Sequence, residues 1–334
     1  MNRSRIALFL LVLFILSGVF IWYKSTKSQE TNVASTAVIV ETPVFNSDSA
    51  YAQIAKQVSF GPRIPNSPAQ IKCKDWIVEK LKGYGWQVKI QEFTSFRYDG
   101  YKMKGYNIMA QYQPQIQKRI LLGAHWDARS IADKDSVDKN KPIDAANDGG
   151  SGVGVMLEIA RLLSETAKKP TIGVDLIFFD LEDHGEPHDY TGNPSTTSWA
   201  LGSQHWATNI IPENYRPYYG ILLDMVGARG AKFPHEGSSM QYAPGIVRSI
   251  WATAADLGYG NMFIDEDAFG ITDDHTAVNE VGKIQMIDII DIRPVNGGFD
   301  FGSFHHTHQD NLSTIDKSTL KAVGQTLLQV LYRE

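Results

Sequence analysis

Strand-length runs that are almost entirely apolar constrain the fold of this chain more than any other feature. Four such runs occur, at residues 119–124, 172–179, 220–225 and 284–290. Strands of this kind belong in a sheet that is covered on both faces. Segments with apolar residues at helical spacing separate the runs, and strands that alternate with helices favour a mostly parallel or mixed sheet. We therefore predict an α/β fold.

The same alternation extends along most of the chain. Helices are predicted at residues 69–84, 153–163, 243–257 and 318–332, and further strands at 87–93 and 106–112. Neither an internal repeat nor a low-complexity segment interrupts this pattern. Residues 48–334 are therefore expected to form a single catalytic domain.

The N-terminal segment has a different character. Residues 6–22 form an uncharged apolar run that follows Arg3 and Arg5. This run can span a bilayer, which takes about 17–25 residues, whereas the apolar region of a cleaved signal peptide is usually shorter. We expect residues 1–47 to be a membrane anchor, or alternatively a cleaved signal segment, followed by a tether. The domain would then lie outside the cytoplasm, in the periplasm, either anchored to the membrane or released by cleavage.

Composition excludes several kinds of partner and site. The net charge is −5 and the isoelectric point is about 6.0, so the basic footprint of a nucleic-acid-binding protein is missing. Cys73 is the only cysteine, which excludes an intrachain disulfide and a Cys-x-x-Cys metal site. Any metal would have to be held by histidine and carboxylate side chains. We expect a monomer.

Ionisable residues follow successive predicted strands at the point where each strand ends. In open α/β sheets, ligands bind beyond the carboxyl ends of the strands. Five polar segments lie at these strand ends or in the turns and loops that join the strands. They are His125-Trp126-Asp127, the turn 146–152 around Asp148, the segment 180–184, Asp224, and the histidine-rich segment 305–310. Their recurrence at one end of the strands predicts a functional site there.

Histidine and carboxylate side chains in this arrangement predict a zinc site. Catalytic zinc takes three protein ligands and leaves one position open. Asp148 lies among glycines that permit a tight turn. Of the adjacent pair Glu182 and Asp183, one carboxylate can bind the metal while the longer one acts as a general base. A histidine of the segment 305–310 would supply an imidazole ligand.

Each of these residues also has a simpler interpretation. Asp148 could cap a helix, the pair Glu182 and Asp183 could be a solvated loop, and His306 could belong to a surface cluster. For His125, a hydrogen-bonded core histidine is the favoured interpretation. The combination of these residues, rather than any one of them, favours a metal centre.

Seven segments between residue 58 and the C-terminal helix carry a family resemblance. They read GAHWDAR, AANDGGSGVGVMLEIARLL, DLIFFDLEDHGE, WALGSQHWA, ILLDMVGA, ITDDHTAVNE and FGSFHHTHQDNLSTID. This set resembles the zinc aminopeptidase clan and, within it, the glutaminyl cyclases of the mammalian-like type found in some bacteria. The resemblance implies a three-layer α/β sandwich with a twisted, mixed and mostly parallel central sheet flanked by helices.

The resemblance also implies roles for individual residues. One zinc ion per chain would be bound by Asp148, Asp183 and His306. Glu182 matches the general acid/base of the cyclases, and Asp224 matches a second catalytic carboxylate. Asp183 stands where the vertebrate enzymes have glutamate, so its shorter arm would bring the backbone closer to the metal.

Further positions match the cyclases in part. Asp273, in ITDDH, matches a catalytic acidic residue that hydrogen-bonds near Asp224. Trp199 matches a tryptophan that lines the substrate pocket. His305 stands where cyclases often carry tryptophan. Asp288 lies nearest to a position at which the vertebrate enzymes carry histidine, so that part of the hydrogen-bond network would have to be rebuilt.

The implied function is that of a zinc-dependent glutaminyl-peptide cyclotransferase, which converts the N-terminal glutamine of peptides or proteins to pyroglutamate with release of ammonia. The main alternative is an aminopeptidase with two zinc ions. In that enzyme Asp148 would bridge the ions, with His125 and Asp224 on one and Asp183 and His306 on the other. All five ligands are present, so residue identity leaves the metal count open. The intact ligand set disfavours a third interpretation, a non-catalytic binding ectodomain.

Overall fold

The computed structural model describes residues 39–334, which fall within one compact unit, Ala37–Glu334. The predicted anchor at residues 6–22 lies outside the described residues, as does much of the predicted tether. Among residues 39–334, no helix is both long and apolar enough to cross a membrane.

The strands form one large sheet and two small ones. In chain order they are β1 Gln87–Phe96, β2 Lys102–Tyr112, β3 Arg119–His125, β4 Gly173–Phe179, β5 Tyr219–Asp224, β6 Phe233–His235, β7 Phe263–Asp267, β8 Met286–Ile290, β9 Ile292–Val295 and β10 Gly298–Phe301. The large sheet has the order β1-β2-β4-β3-β5-β8. β1, β2 and β4 pair in antiparallel fashion, whereas β4, β3, β5 and β8 run parallel. β6 pairs with β7, and β9 with β10.

The helices are α1 Ser47–Val58, α2 Pro68–Gly83, α3 Gly150–Glu165, α4 Leu201–Thr208, α5 Gly237–Tyr242, α6 Pro244–Asp256, α7 Asp274–Glu280 and α8 Lys317–Arg333. Every helix and strand predicted from the sequence is present, with ends displaced by a few residues. The prediction missed α1 and the shorter elements α4, α5, α7, β6, β7, β9 and β10. Most of these are too short to display a hydrophobic period.

Side chains on the two faces of the central sheet pack in two different apolar clusters. In β3, Ile120 and Leu122 belong to the larger cluster, which α1, α3 and α8 complete. Leu121, between them, belongs to the other cluster, together with Trp206 of α4 and Val278 of α7. This alternation follows from the two-residue period of a strand. Helices thus cover both faces, and the predicted three-layer sandwich with a mixed sheet is confirmed.

Phe45 and Asn46, at the end of the predicted tether, contact the domain. Phe45 is only 2% exposed, and its ring packs against Gly324 in α8. Its backbone N–H donates to Gln325 Oε1 over 3.0 Å. Asn46 then caps α1 through its side-chain oxygen. The domain therefore starts before residue 47, because one aromatic side chain fixes the chain to the closing helix.

Candidate active site

Parallel pairing brings the ends of the central strands to one edge of the sheet. His125 at the end of β3 lies opposite Phe179, and Asp224 at the end of β5 lies opposite Ile290. A cavity of about 480 Å³ opens at this edge. Its lining includes six of the seven residues that were assigned a metal, catalytic or pocket role, Asp148, Glu182, Trp199, Asp224, Asp273 and His306. The seventh, Asp183, is 1% exposed and is buried beside His306.

The three predicted metal ligands lie together. His306 Nε2 is 3.1 Å from Asp183 Oδ1 and 3.8 Å from Asp148 Oδ2. The Oδ2 atoms of both aspartates are buried without a hydrogen-bond partner among the described residues. Burial, reinforced by the charge of Arg129, lowers the pKa of His306 well below its usual range, which favours the neutral imidazole that binds metals. Unpartnered carboxylate oxygens beside a neutral imidazole fit a zinc ion.

Left-handed backbone conformations flank the site. The φ angle is +60° at Leu181, +49° at Met225 and +58° at His306. Such conformations are costly for residues other than glycine, and they cluster at functional sites. Gly149 has φ +72°, and a Cβ atom there would lie 2.6 Å from the ring of His125. The turn that carries Asp148 therefore requires glycine next to that residue.

His125 is a buried histidine with three carboxylate neighbours. Its Nε2 lies 3.0 Å from Asp148 Oδ1 and 3.2 Å from Asp224 Oδ1, and its Nδ1 lies 3.3 Å from Asp127 Oδ1. Burial opposes protonation, yet the three carboxylates outweigh it and raise the pKa of His125 well above its usual range. These contacts agree with the predicted hydrogen-bonded core histidine. Because His125, Asp148 and Asp224 also lie close enough to share one ion, the geometry keeps a second metal position open.

The carboxylates of Glu182 and Asp183 point to different places. The backbone N–H groups of both residues donate to the buried carboxylate of Asp127, over 3.2 and 3.1 Å. Glu182 lines the cavity, whereas Asp183 faces His306. Burial raises the pKa of Glu182 well above its usual range, and the charges of Asp273 and Asp183 add to this. A carboxyl group with a raised pKa is suited to accept a proton and return it.

Asp224 and Asp273 line the cavity on the side of β5 and β8. Burial raises the pKa of Asp224 to about 7, with contributions from Asp148 and Asp273 against the lowering effect of His125. Asp273 caps α7 and accepts a hydrogen bond from the backbone N–H of Asp274. Asp273, which was predicted as the partner of Asp224, therefore raises the pKa of Asp224 through its negative charge.

The network behind Asp273 contains a histidine at an unexpected place. Asp288, which lies nearest to the strand position where the vertebrate enzymes carry histidine, is fully buried, and neither of its carboxylate oxygens has a hydrogen-bond partner among the described residues. His275 of α7 lies beside it, with Nδ1 4.0 Å from Asp288 Oδ2 and Nε2 3.2 Å from Glu236 Oε2. The imidazole that lies beside Asp288 thus comes from a helix.

Aromatic rings form one wall of the cavity. The ring of Trp199 is parallel to that of His306, with 5.9 Å between the centroids. His305 packs against His306 at 3.8 Å and against Phe301 at 4.4 Å, and its Nδ1 lies 2.7 Å from Lys134 Nζ. The wall that a tryptophan often provides in the cyclases is built here from an imidazole, a phenyl ring and a lysine.

Three residues that support the site were not assigned a role from the sequence. Asp127 holds the backbone of Glu182 and Asp183, as described above. Arg129 contacts Asp183, and Asp310 accepts hydrogen bonds from the backbone N–H groups of Asn147 and Asp148. All three lie inside the motifs that carried the resemblance, and each is an ionisable residue that the tertiary structure buries. A buried charge needs a partner, and the sequence does not identify it.

The sheet order and the His/carboxylate cluster at its edge define the class of zinc-dependent exopeptidase folds. The sequence profile of peptidase family M28 matches residues 107–331, and the chain belongs to this family. The chain is similar to a glutaminyl cyclase from Bacteroides thetaiotaomicron in complex with N-acetylhistamine, with 45% identity, a TM-score of 0.85, and coverage of 88% of this chain and 100% of that one.

Two further relatives bear on the activity. A Zn-dependent exopeptidase from Parabacteroides distasonis is 47% identical, with a TM-score of 0.84, and the match covers 88% of this chain and all of that one. The glutaminyl-peptide cyclotransferase of Gloydius blomhoffii is 27% identical over 81% of this chain and 77% of its own length. The family resemblance identified from the sequence motifs is confirmed.

Proposed function

We propose that this chain is a zinc-dependent glutaminyl-peptide cyclotransferase acting on peptides and proteins with N-terminal glutamine. One observation carries the proposal. A chain that aligns with all of a bacterial glutaminyl cyclase at 45% identity keeps Asp148, Asp183 and His306 together beside Glu182 at one cavity. The comparisons support the cyclase and the use of zinc. The single ion per chain and the role of each residue are part of the proposal.

Asp148, Asp183 and His306 would hold the zinc ion. When bound, the ion supplies Lewis-acid stabilisation of negative charge on the γ-carboxamide oxygen of the substrate. The α-amine nitrogen of the N-terminal glutamine attacks its own γ-carbonyl carbon and closes a five-membered ring. Glu182 accepts one proton from that nitrogen and returns it to the departing amide nitrogen, which leaves as ammonia.

Asp224 holds the leaving nitrogen through a hydrogen bond, with Asp273 behind it. Burial of both carboxyls makes such a bond stronger than it would be in water. Water is not a reactant in this cyclisation, so an enclosed cavity favours ring closure over hydrolysis. Trp199 and Phe301 supply aromatic walls to the cavity.

The experiment is incubation of the purified protein with a peptide that begins with glutamine. We expect the peptide to lose ammonia and to keep all of its residues, as read from its mass. A matched peptide with N-terminal asparagine, whose ring would be smaller, serves as the control. Removal of the first residue instead of ammonia would overturn the proposal.

The second candidate is a di-zinc aminopeptidase. It is favoured by the second group of possible ligands, His125, Asp148 and Asp224, and by the similarity to a Zn-dependent exopeptidase. The two candidates differ in metal content, since the cyclase proposed here binds one zinc ion per chain and the aminopeptidase binds two. Metal analysis of the purified protein therefore separates them independently of the activity assay.

We also propose that the domain works outside the cytoplasm as a monomer, attached to the membrane through the apolar run at residues 6–22. The length of this run supports an anchor. Expression of the full chain, followed by membrane fractionation, tests the attachment. A protein that stays soluble and keeps its first residues would contradict it. Light scattering of the detergent-solubilised chain tests the monomer.

A further inference from the structure

Arg129 is a buried cation whose hydrogen bonds are all directed at the site. Its side chain is 1% exposed, in the loop that follows β3. Nε and Nη2 donate to the two carboxylate oxygens of Asp133, over 2.6 and 2.9 Å. Nη1 donates to the carbonyl and to Oδ1 of Asp183, both over 3.1 Å, and Nη2 also donates to the carbonyl of Glu186. These five hydrogen bonds match the five N–H donors of a guanidinium group.

The ion pair of Arg129 with Asp133 contacts two of the proposed zinc ligands. Arg129 reaches Asp183 directly. Asp133 Oδ1 lies 3.6 Å from Nδ1 of His306, the ring nitrogen that does not face Asp148 and Asp183. This distance is longer than a hydrogen bond, so Asp133 acts on the ring through its negative charge, which favours the tautomer with the proton on Nδ1. One ion pair therefore supports ligands from two segments of the chain.

The same guanidinium also supports the wall of the cavity. Arg129 Cζ lies 4.8 Å from the centroid of the Trp199 ring, a cation–π distance. Trp199 is parallel to His306, and Glu186 lines the same cavity. The backbone carbonyl of Glu186 is in turn held by Arg129. Arg129 therefore contacts both the aromatic wall of the cavity and the proposed metal ligand Asp183.

The geometry points to Arg129 as a positioning residue that, with Asp133, holds Asp183, His306 and Trp199 as one unit. This inference rests on the zinc site of the proposed function. Arginine is required because all five N–H donors of its planar guanidinium group have acceptors here and the face of that group lies on an aromatic ring. Lysine offers only three donors and a point charge. Loss of the guanidinium group removes the hydrogen bonds that hold Asp183, and so weakens the metal site without removing any ligand.

Arg129→Lys tests the inference, with Arg119→Lys as the matched control. Arg119 is also buried, pairs with Asp175 and donates to backbone carbonyls, but it lies at the start of β3, at the opposite edge of the sheet. Zinc affinity is measured by competition with a coloured chelator. We expect Arg129→Lys to weaken zinc binding by about 10–100-fold and to raise KM more than it lowers kcat. We expect Arg119→Lys to lower stability while keeping zinc affinity unchanged.

Asp133→Asn is the second variant, and it decides the question if Arg129→Lys does not fold. It preserves shape while it removes the charge that pairs with Arg129, so it should also weaken zinc binding. Unchanged zinc affinity in a folded Arg129→Lys variant overturns the inference. If that variant does not fold, unchanged zinc affinity in Asp133→Asn overturns it. A loss of zinc affinity in Arg119→Lys as large as that in Arg129→Lys also overturns it. A wild-type protein that binds no zinc would instead overturn the proposed function.

Discussion

At the scale of single residues, two adjacent carboxylates are given different environments. Leu181, with φ +60°, turns the chain directly after β4. Asp127 fixes the next two backbone N–H groups. As a result Glu182 faces the cavity, while Asp183 is buried between Arg129 and His306. The division of labour proposed for the pair therefore has a geometric basis, because one carboxylate lines the cavity and the other is enclosed.

Glu182→Gln should abolish the proton transfer and leave the metal bound. Glutamine has the same shape as glutamate but cannot accept a proton, so kcat for ammonia release should fall by about 10²–10⁴-fold. Metal content after dialysis should equal that of the wild type. Asp183→Asn is the matched control, and it should lose zinc. Loss of zinc from Glu182→Gln would mean that the roles of the two residues are exchanged.

At the scale of elements, the closing helix α8 fixes the start of the domain. Lys321 Nζ donates to the carbonyl of Phe45 over 2.7 Å, and Gln325 Oε1 accepts from its N–H. The aromatic ring fills the space above Gly324. Residues almost 280 positions apart in the chain thus form one packing unit, which places Phe45 on the face of the sheet that α1 and α3 cover.

Phe45→Ala should destabilise the domain without changing catalysis. Phe45 is 2% exposed, and removal of a buried phenyl ring costs about 3–5 kcal/mol of unfolding free energy. Its neighbour Val44 is 75% exposed, so Val44→Ala should change stability by no more than about 0.5 kcal/mol. Urea denaturation of both variants measures the difference. Equal stability of the two would show that residue 45 belongs to the tether after all.

At the scale of the whole molecule, the sheet brings five distant segments to one edge, and the metal site forms only when they are assembled. Buried oxygens of Asp148 and Asp183 have no donor among the described residues. A cation that binds them is therefore bound by the folded state alone, and its binding free energy adds to stability.

Removal of zinc should lower the melting temperature. At a zinc concentration of about 100 times Kd the folded state gains about 2.7 kcal/mol, which corresponds to a shift of roughly 4 °C for a domain of this size. Calorimetry before and after chelation measures it, and titration back with zinc should restore the transition at one equivalent per chain. Full recovery of the transition only at two equivalents of zinc per chain would favour the aminopeptidase. A melting temperature that chelation leaves unchanged would contradict a zinc site.

The sequence by itself determined the α/β class, the larger helices and strands, and the edge of the sheet at which the site lies. These depend on local signals, namely hydrophobic period and the polar residues that end each strand. Asp148, Glu182, Asp183, Asp224, and His306 were identified in this way, because parallel strands place their ends side by side.

Only the tertiary structure decided which side chains meet. Arg129 and Asp183 are 54 positions apart, and Phe45 and Gln325 are 280 apart, so no local pattern links them. The same holds for His275, a residue of a helix whose ring lies next to Asp288 of the strand β8. Contacts of this kind depend on how the layers pack, and a periodic pattern specifies the layers but not the pairs of residues between them.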